Sequence, residues 1–245
     1  MTARGSFAIA ALAFHATLLP LPALAQTDHV PSAVAPLTTS HPLLSRHTAA
    51  VAGLLFAGAM LGDGEFREEA QEARSGTSNS IASVGNTFGD WRLLVPALGA
   101  GYLAGEIAGS DPIKGTILRA GAAVALATGI NSGLKYSIGR KRPDVAGTNL
   151  EFRPFSGSNS FPSGHTAAAF AIATAIADQT TDGWSDYLLY GAAGLTAISR
   201  INDNRHWTSD VLIGGLIGHL SAKWIGRQMG PVRIAPTGVT VNLQF

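Results

Sequence analysis

The chain has 245 residues, of which 46% are hydrophobic and 13% are charged. This composition excludes an intrinsically disordered protein and fits one substantial folded domain. A formal net charge of +1 offers no basic surplus for binding nucleic acid, and the absence of cysteine excludes disulfides, thiolate catalysis and cysteine zinc sites.

The N-terminal 25 residues have the pattern of a secretory signal peptide. Arg4 precedes a mostly apolar stretch, residues 7–19, and Ala23 and Ala25 are the small residues expected before a cleavage site. We therefore predict a protein that is exported to the periplasm. An uncleaved membrane anchor is the alternative interpretation of the same stretch.

The rest of the chain is predicted to be all-α. Residues 26–45 are rich in Pro, Ser and Thr and are predicted to form an extended linker. Six helix-like blocks follow, separated by loops that contain Gly, Asp, Pro or Asn. The blocks are residues 47–74, 91–108, 114–138, 163–179, 185–200 and 206–228. The predicted fold class is thus an all-α six-helix bundle over residues 46–228.

The C-terminal tail, residues 229–245, has a different pattern. Val239, Val241, Leu243 and Phe245 alternate with polar residues or Thr. Alternation of this kind is typical of a strand, so a short C-terminal β-hairpin is predicted from Val232 to Phe245.

The relation of the bundle to a membrane has two interpretations. The uncharged apolar core of each helix-like block is shorter than the roughly 18 residues that a membrane span needs. Small residues four apart, such as Gly129 with Gly133 and Gly214 with Gly218, allow close helix packing either in a membrane or in a tight soluble bundle. The sequence favours an exported bundle that is soluble or lies against a membrane, and an integral membrane protein is the alternative.

Three polar segments occur at the predicted helix ends: "KYSIGRKRP" at 135–143, "PSGH" at 162–165 and "SRINDNRHWTSD" at 199–210. Consecutive antiparallel helices bring such ends to one face of a bundle. The side chains expected to converge there are Lys135, Arg142, Ser163, His165, Arg200, His206 and Asp210.

This group is suited to binding an anion. Lys135, Arg142 and Arg200 supply positive charge, and guanidinium groups match phosphate oxygens with paired donors. Ser163 and Gly164 stand where a helix begins, with Ser163 as its predicted N-cap, so unpaired backbone N–H groups and the helix dipole point to the same place. The predicted ligand of this site is phosphate.

The two histidines of the group are suited to phosphoryl transfer. His206 and Asp210 are four residues apart, so on a helix the carboxylate can hold one imidazole nitrogen and leave the other free to attack phosphorus. His165 lies beside the predicted phosphate site and is the candidate general acid for the leaving group.

The spacing of the three segments resembles that of the type 2 phosphatidic acid phosphatase (PAP2) family, which shares its site with bacterial non-specific acid phosphatases and vanadium-dependent haloperoxidases. The resemblance implies an all-α fold and metal-free phosphoester hydrolysis. It also implies catalytic roles for His206, His165 and Asp210. The implied phosphate ligands are Lys135, Arg142, Ser163, Gly164 and Arg200.

The predicted function is therefore a metal-independent phosphatase that acts on a phosphorylated small molecule or a lipid phosphate, without a cofactor. Vanadate has the shape and charge to occupy the same site, so a vanadate-dependent haloperoxidase is one alternative. A non-catalytic bundle that binds phosphate is the other. The sequence predicts neither the substrate class nor the oligomeric state.

Other polar residues are predicted to have structural roles. Arg140 and Lys141 are interpreted as a solvated basic run, and residues 62–74, "GDGEFREEAQEAR", as an exposed amphipathic turn of helix. His219, within an apolar run, is predicted to pack in the bundle. Residues 202–205 are predicted to form the loop that presents His206.

Overall fold

The computed structural model of the chain describes residues 43–180 and 183–229, together with the strand residues 234–235 and 238–239. The helices in this part are α1 Arg46–Glu72, α2 Gly76–Thr87, α3 Trp91–Ile107, α4 Asp111–Ile138, α5 Gly164–Ala177, α6 Gly183–Asn202 and α7 Thr208–Gln228. The predicted all-α class is confirmed. The predicted signal peptide and most of the predicted linker lie outside the described residues.

Helix α2 shows that the predicted six-helix count was wrong, because the described part of the chain contains seven helices. Its sequence, "GTSNSIASVGNT", consists mostly of Gly, Ser, Thr and Asn, residues that are typical of loops. A capping box starts the helix: Ser75 Oγ accepts from the N–H of Ser78 at 3.1 Å, and Ser78 Oγ accepts from the N–H of Ser75 at 2.9 Å. Packing against α6 then stabilises the helix, and the sequence pattern does not encode that contact.

The described part of the C-terminal tail contains one short antiparallel pair, β1 Ile234–Ala235 with β2 Gly238–Val239. Each strand has two residues, far fewer than the predicted hairpin requires. The remaining residues of that hairpin lie outside the described part. The hairpin from Val232 to Phe245 therefore stays a prediction.

Helix α5 lies at the centre of the bundle and contacts α4, α6 and α7. Most of its buried side chains are alanines, so the neighbouring helices approach its backbone closely. The buried apolar residues of α5 are Ala167, Ala168, Ala169, Phe170, Ala171, Ala173 and Ala175. Because α5 begins at Gly164, its position also fixes one wall of the predicted site.

Two glycines of α7 allow the closest of these approaches. A Cβ atom added to Gly214 would lie 2.4 Å from the carbonyl oxygen of Ser163, and one added to Gly218 would lie 2.1 Å from that of Ala167. The glycines at the same spacing in α4, Gly129 and Gly133, face open space. The glycines four residues apart in α7 therefore lie at a contact with another helix. Those in α4 lie at no such contact within the described part of the chain.

Replacement of Gly218 by Ala is expected to lower the free energy of unfolding by about 1–3 kcal/mol, because the added methyl group meets backbone that cannot rotate away. Gly133→Ala is the matched control, and it should raise stability by up to about 1 kcal/mol through helix propensity. Reversible unfolding of the detergent-solubilised protein measures both. Equal effects of the two substitutions would contradict the assigned α5–α7 contact.

Two of the described helices, α1 and α4, are long and apolar enough to cross a membrane, and little of either apolar window is buried within the chain. Large apolar side chains are exposed on several other helices as well. The most exposed of these are Ile107 and Trp91 on α3 and Trp184 and Leu188 on α6. Because an apolar surface of this extent is unfavourable in water, these features support membrane association.

Candidate active site

The predicted site residues lie at one end of the bundle, where four consecutive helices end or begin. The last turn of α4, the first turn of α5, the last turn of α6 and the first turn of α7 carry or flank all of them. A backbone hydrogen bond joins two of these ends, since the N–H of Ser163 donates to the carbonyl oxygen of Asp210 at 2.9 Å. The residues brought together are Lys135, Arg142, Ser163, Gly164, His165, Arg200, His206 and Asp210.

His206 is buried beside Asp210. Its side chain is 3% exposed, and Nδ1 lies 3.6 Å from Asp210 Oδ2, just beyond hydrogen-bonding distance. Within the described residues Nδ1 has no hydrogen-bond partner. Burial lowers the pKa of His206 to about 4 despite the opposing charge of Asp210. The imidazole is therefore neutral at pH 7, which a nucleophile requires.

Two arginines of the site have N–H donors that bind no other group in the described part of the chain. In the described part of the chain, the buried Nε atoms of Arg142 and Arg200 have no hydrogen-bond partner. Arg200 is held through its other end, because Nη1 donates to Asn86 Oδ1 at 2.8 Å. Lys135 Nζ donates to the carbonyl oxygen of Asn159 at 2.5 Å. Since buried unpaired donors are rare in folded proteins, these two guanidinium groups indicate a place for an anion.

His165 lies in the first turn of α5 and is half-buried. Burial lowers its pKa to about 4, and the positive charges of Arg200, Arg142 and Lys135 add to this effect. The charges of the three cations thus disfavour protonation of His165. An anion that offsets their charge would raise the pKa of His165 again.

The start of α5 is open. Ser163 occupies the N-cap position as predicted, but its side chain makes no capping hydrogen bond; its Oγ instead accepts from Thr166 Oγ1 at 3.0 Å. A Cβ atom at Gly164 would meet nothing within 4 Å. The first turn therefore presents uncapped backbone N–H groups beside open space.

The carboxylate of Asp210 is fixed by donors on both oxygens. Oδ1 accepts from Arg140 Nη1 at 2.7 Å. Oδ2 accepts from Ser160 Oγ at 2.5 Å and from the N–H of Trp207 at 3.0 Å, and it is also the oxygen nearest to His206. The carboxylate plane is consequently held with one oxygen toward Arg140 and the other toward the imidazole.

Arg140 is fully buried, so its interpretation as part of a solvated basic run was wrong. All five of its N–H donors are used. Nε and Nη2 donate to the carbonyl oxygen of Asn149, Nη2 also to Asp63, and Nη1 to Ser209 and Asp210. The guanidinium carbon also lies 5.2 Å from the ring centroid of Trp207.

The local backbone explains why Arg140 and Lys141 differ. Gly139 ends α4 with φ +61°, and a Cβ atom there would lie 1.8 Å from the carbonyl oxygen of Arg153. The chain then continues in an extended conformation that pairs Arg140 with Phe152. Alternation along this segment directs Arg140 inward and Lys141 toward the surface, where Lys141 pairs with Glu151 at 2.5 Å.

The interpretation of residues 62–74 as an exposed turn was also wrong for the face of α1 that contains Asp63. This side chain is fully buried: Oδ2 accepts from Arg140 Nη2 at 2.8 Å, and Oδ1 accepts from the N–H of Ser209 at 2.9 Å. Arg67 and Gln71 continue the same face. Arg67 donates to Asn204 in the loop after α6, and Gln71 donates to the carbonyl oxygens of the last two residues of α6. The four-residue spacing of Asp63, Arg67 and Gln71 on one helix face is the signal that sequence reasoning missed.

Helix α2 contributes a further residue that was not predicted. Asn86 accepts from Arg200 Nη1 through Oδ1 and donates through Nδ2 to Asp203 Oδ2 at 2.7 Å. The amide therefore fixes the position of Arg200 relative to the loop that presents His206. Because α2 consists mostly of residues typical of loops, nothing in the local sequence assigned Asn86 to the site.

Three comparisons relate this geometry to known proteins. The model of the PAP2 superfamily matches residues 116–233. The lipid A 1-phosphatase of Porphyromonas gingivalis is 46% identical over 99 residues, which cover 40% of this chain and 20% of that protein. The match thus spans about a fifth of the length of that relative.

Two solved structures share the fold. The crystal structure of Aquifex aeolicus LpxE superimposes with a TM-score of 0.54 at 24% identity, covering 66% of this chain and 93% of that one. The transmembrane PAP2-type phosphatidylglycerolphosphate phosphatase of Bacillus subtilis gives a TM-score of 0.54 at 21% identity, covering 75% and 98%. The resemblance that the three sequence segments indicated is confirmed, and residues 116–233 of this chain belong to the PAP2 superfamily.

Proposed function

We propose that this chain is a metal-independent phosphatase that hydrolyses a lipid phosphomonoester through a phosphohistidine intermediate. The observation that supports the reaction best is the buried imidazole of His206, which faces Asp210 next to the unpaired donors of Arg142 and Arg200. The apolar surface and the lipid phosphatase activity named for the Porphyromonas gingivalis relative favour a lipid substrate.

In the first step the phosphate dianion binds between the three cations and the open start of α5. Nε2 of His206 attacks phosphorus, forming a P–N bond as the P–O ester bond breaks. Asp210 stabilises the positive charge that develops on the ring. The bound dianion offsets the neighbouring cations, so His165 is protonated in the complex and donates its proton to the leaving alkoxide.

In the second step the intermediate is hydrolysed. His165, now neutral, takes a proton from a water molecule whose oxygen attacks phosphorus, and the P–N bond breaks. The products are inorganic phosphate, a free His206 and a protonated His165. The arginines and Lys135 stabilise the negative charge of both transition states, a role that metal ions have in other phosphatases.

The location of the enzyme is part of the proposal. The predicted signal peptide supports export, and the apolar faces of α1 and α4 support attachment to the membrane. A site at one end of the bundle is then accessible to a phosphorylated lipid headgroup at the periplasmic surface. Vanadate, which resembles phosphate, is proposed to bind in the same place as an inhibitor.

The purified full chain in detergent should release phosphate from a long-chain lipid phosphomonoester in the presence of EDTA. A water-soluble chromogenic monoester should react with a higher KM, because it lacks the acyl chains that bury apolar surface on binding. Malachite green detection of phosphate measures both reactions. Turnover that requires a divalent metal, or no turnover of either ester, would contradict the proposal. Halide oxidation on addition of vanadate, without any phosphatase turnover, would favour a haloperoxidase instead.

Replacement of His165 by Asn should lower the rate of the first step by about 10²–10⁴-fold for an alkyl phosphate, which needs a proton on its leaving group. A nitrophenyl phosphate has a leaving group that needs no proton, so its first step should be nearly unchanged. Rapid mixing should therefore show a burst of nitrophenol followed by slow hydrolysis of the intermediate. An equal loss in the first step for both esters would argue against His165 as the acid.

A further inference from the structure

The buried side chain of Arg140 joins two buried carboxylates, those of Asp63 and Asp210. We propose that Asp63 and Arg140 are a positioning pair that orients Asp210 and, through it, His206. The inference rests on the proposed function and deepens it, because neither residue of the pair is among the predicted phosphate ligands.

Arg140 sets the orientation of the Asp210 carboxylate. Arg140 Nη1 binds Oδ1 at 2.7 Å, which leaves Oδ2 as the oxygen that faces His206. If Arg140 were absent, Oδ1 would lose this donor, and only Ser160 Oγ and the N–H of Trp207, both bound to Oδ2, would hold the carboxylate. The plane of the carboxylate could then turn about Oδ2 relative to the imidazole. Carboxylates that hold a functional imidazole act by fixing its tautomer and ring orientation.

Arg140 is itself held in place by Asp63 and Ser209. Asp63 Oδ2 accepts from Arg140 Nη2 at 2.8 Å and from Ser209 Oγ at 2.6 Å, while Ser209 Oγ also accepts from Arg140 Nη1 at 2.7 Å. With the carbonyl oxygen of Asn149 and Oδ1 of Asp210, these acceptors leave Arg140 no unpaired donor. The guanidinium group therefore has a single position, and Asp63 on α1 helps to define it.

The net charge of the cluster also affects His206. One guanidinium group faces two carboxylates, so the cluster of Asp63, Arg140 and Asp210 has a formal charge of −1 when all three are ionised. That surplus lies beside Nδ1 of His206, where positive charge develops when the other ring nitrogen is phosphorylated. Asp63 offsets the positive charge of Arg140 and so preserves the effect of Asp210 on the imidazole.

The position of Asp63 in the chain makes this inference specific. Asp63 belongs to α1, outside the residues 116–233 that match the superfamily, and it is 77 residues from Arg140. Neither member of the pair is among the site residues that the family resemblance implies, although Arg140 lies within the first polar segment, 135–143. Helix α1 thus contributes to the catalytic geometry through a contact that the family match does not contain.

The test uses the full chain with Asp63→Asn and Arg140→Lys. Asp63→Asn keeps the shape of the side chain and removes one charge, and Arg140→Lys keeps the charge but loses the planar array of donors. We expect each to lower kcat for a lipid phosphomonoester by about 10–100-fold with KM unchanged. Lys141→Met is the matched control, because it removes the adjacent cation, which contacts Glu151 and not Asp210.

Two further measurements separate positioning from a structural role. Combining Asp63→Asn with Asp210→Asn should lower kcat no further than Asp210→Asn alone, because Asp63 acts through Asp210. In ¹⁵N NMR spectra of the folded protein, His206 should be a single neutral tautomer with its proton on Nδ1. Either substitution of the pair should produce a mixture of both tautomers.

Failure of the positioning pair and failure of the proposed function give different results in these experiments. If the Asp63 and Arg140 variants retain the wild-type kcat and a single His206 tautomer, the positioning pair is wrong. The same holds if the kcat losses of Asp63→Asn and Asp210→Asn multiply. If wild-type protein releases no phosphate from any ester, the proposed function fails, and the tautomer of His206 in the two variants still decides whether the pair orients it.

Discussion

His206→Asn is expected to lower kcat for a lipid phosphomonoester by about 10⁴-fold or more, the largest loss of any single substitution in the site. An amide nitrogen cannot attack phosphorus, and the remaining cations can only bind the substrate. KM should change little, because Arg142, Arg200 and the start of α5 are untouched. Quenching the wild-type reaction with alkali should trap an acid-labile phosphohistidine that the variant lacks.

The matched control is His219→Asn. His219 belongs to α7, and its Nδ1 lies 3.0 Å from Thr174 Oγ1, a contact that an amide can reproduce. It should therefore preserve kcat within about 2-fold, as expected for a residue outside the site. Wild-type turnover in His206→Asn, or a phosphohistidine that survives in that variant, would contradict the proposed mechanism.

The site was predictable where its chemistry is local in sequence. Ser163, Gly164 and His165 are consecutive at a helix start, as the sequence predicted. His206 lies close to Asp210 as expected, but it precedes α7, which begins at Thr208, so the two residues do not share a helix face as their spacing predicted. The convergence of these groups was expected from consecutive antiparallel helices. None of this required knowledge of distant contacts.

The residues that were missed depend on distant contacts. Arg140 lies in a charged run that resembles a solvated one, and only the turn at Gly139 and the acceptors from other helices bury it. Asp63 has no local signal other than its spacing from Arg67 and Gln71. Buried ion pairs of this kind join segments far apart in the chain, so neither partner indicates the other from sequence alone.

The glycine pairs illustrate the same limit. Gly129 with Gly133 and Gly214 with Gly218 have identical spacing, yet only the pair in α7 faces another backbone within 4 Å. Spacing places both glycines of each pair on one helix face. The identity of the helix that packs there is a property of the assembled bundle.

Arg140→Met is expected to have the largest effect on stability, lowering the free energy of unfolding by about 3–5 kcal/mol. The substitution preserves much of the side-chain volume but leaves Asp63 and Asp210 buried without their shared cation. Both carboxylates are fully buried, so water cannot replace the lost hydrogen bonds without opening the bundle. Reversible unfolding in detergent, followed by circular dichroism, measures the loss.

Two comparisons separate this penalty from a general loss of positive charge. Lys141→Met removes a cation from a partly exposed pair with Glu151 and should cost at most about 1 kcal/mol. Adding Asp63→Asn to Arg140→Met removes one uncompensated charge and should restore part of the stability, although Asp63→Asn alone should destabilise the protein. If the double variant is less stable than Arg140→Met, uncompensated charge is not the cause, and the guanidinium group stabilises this end of the bundle through its hydrogen bonds and its packing on Trp207.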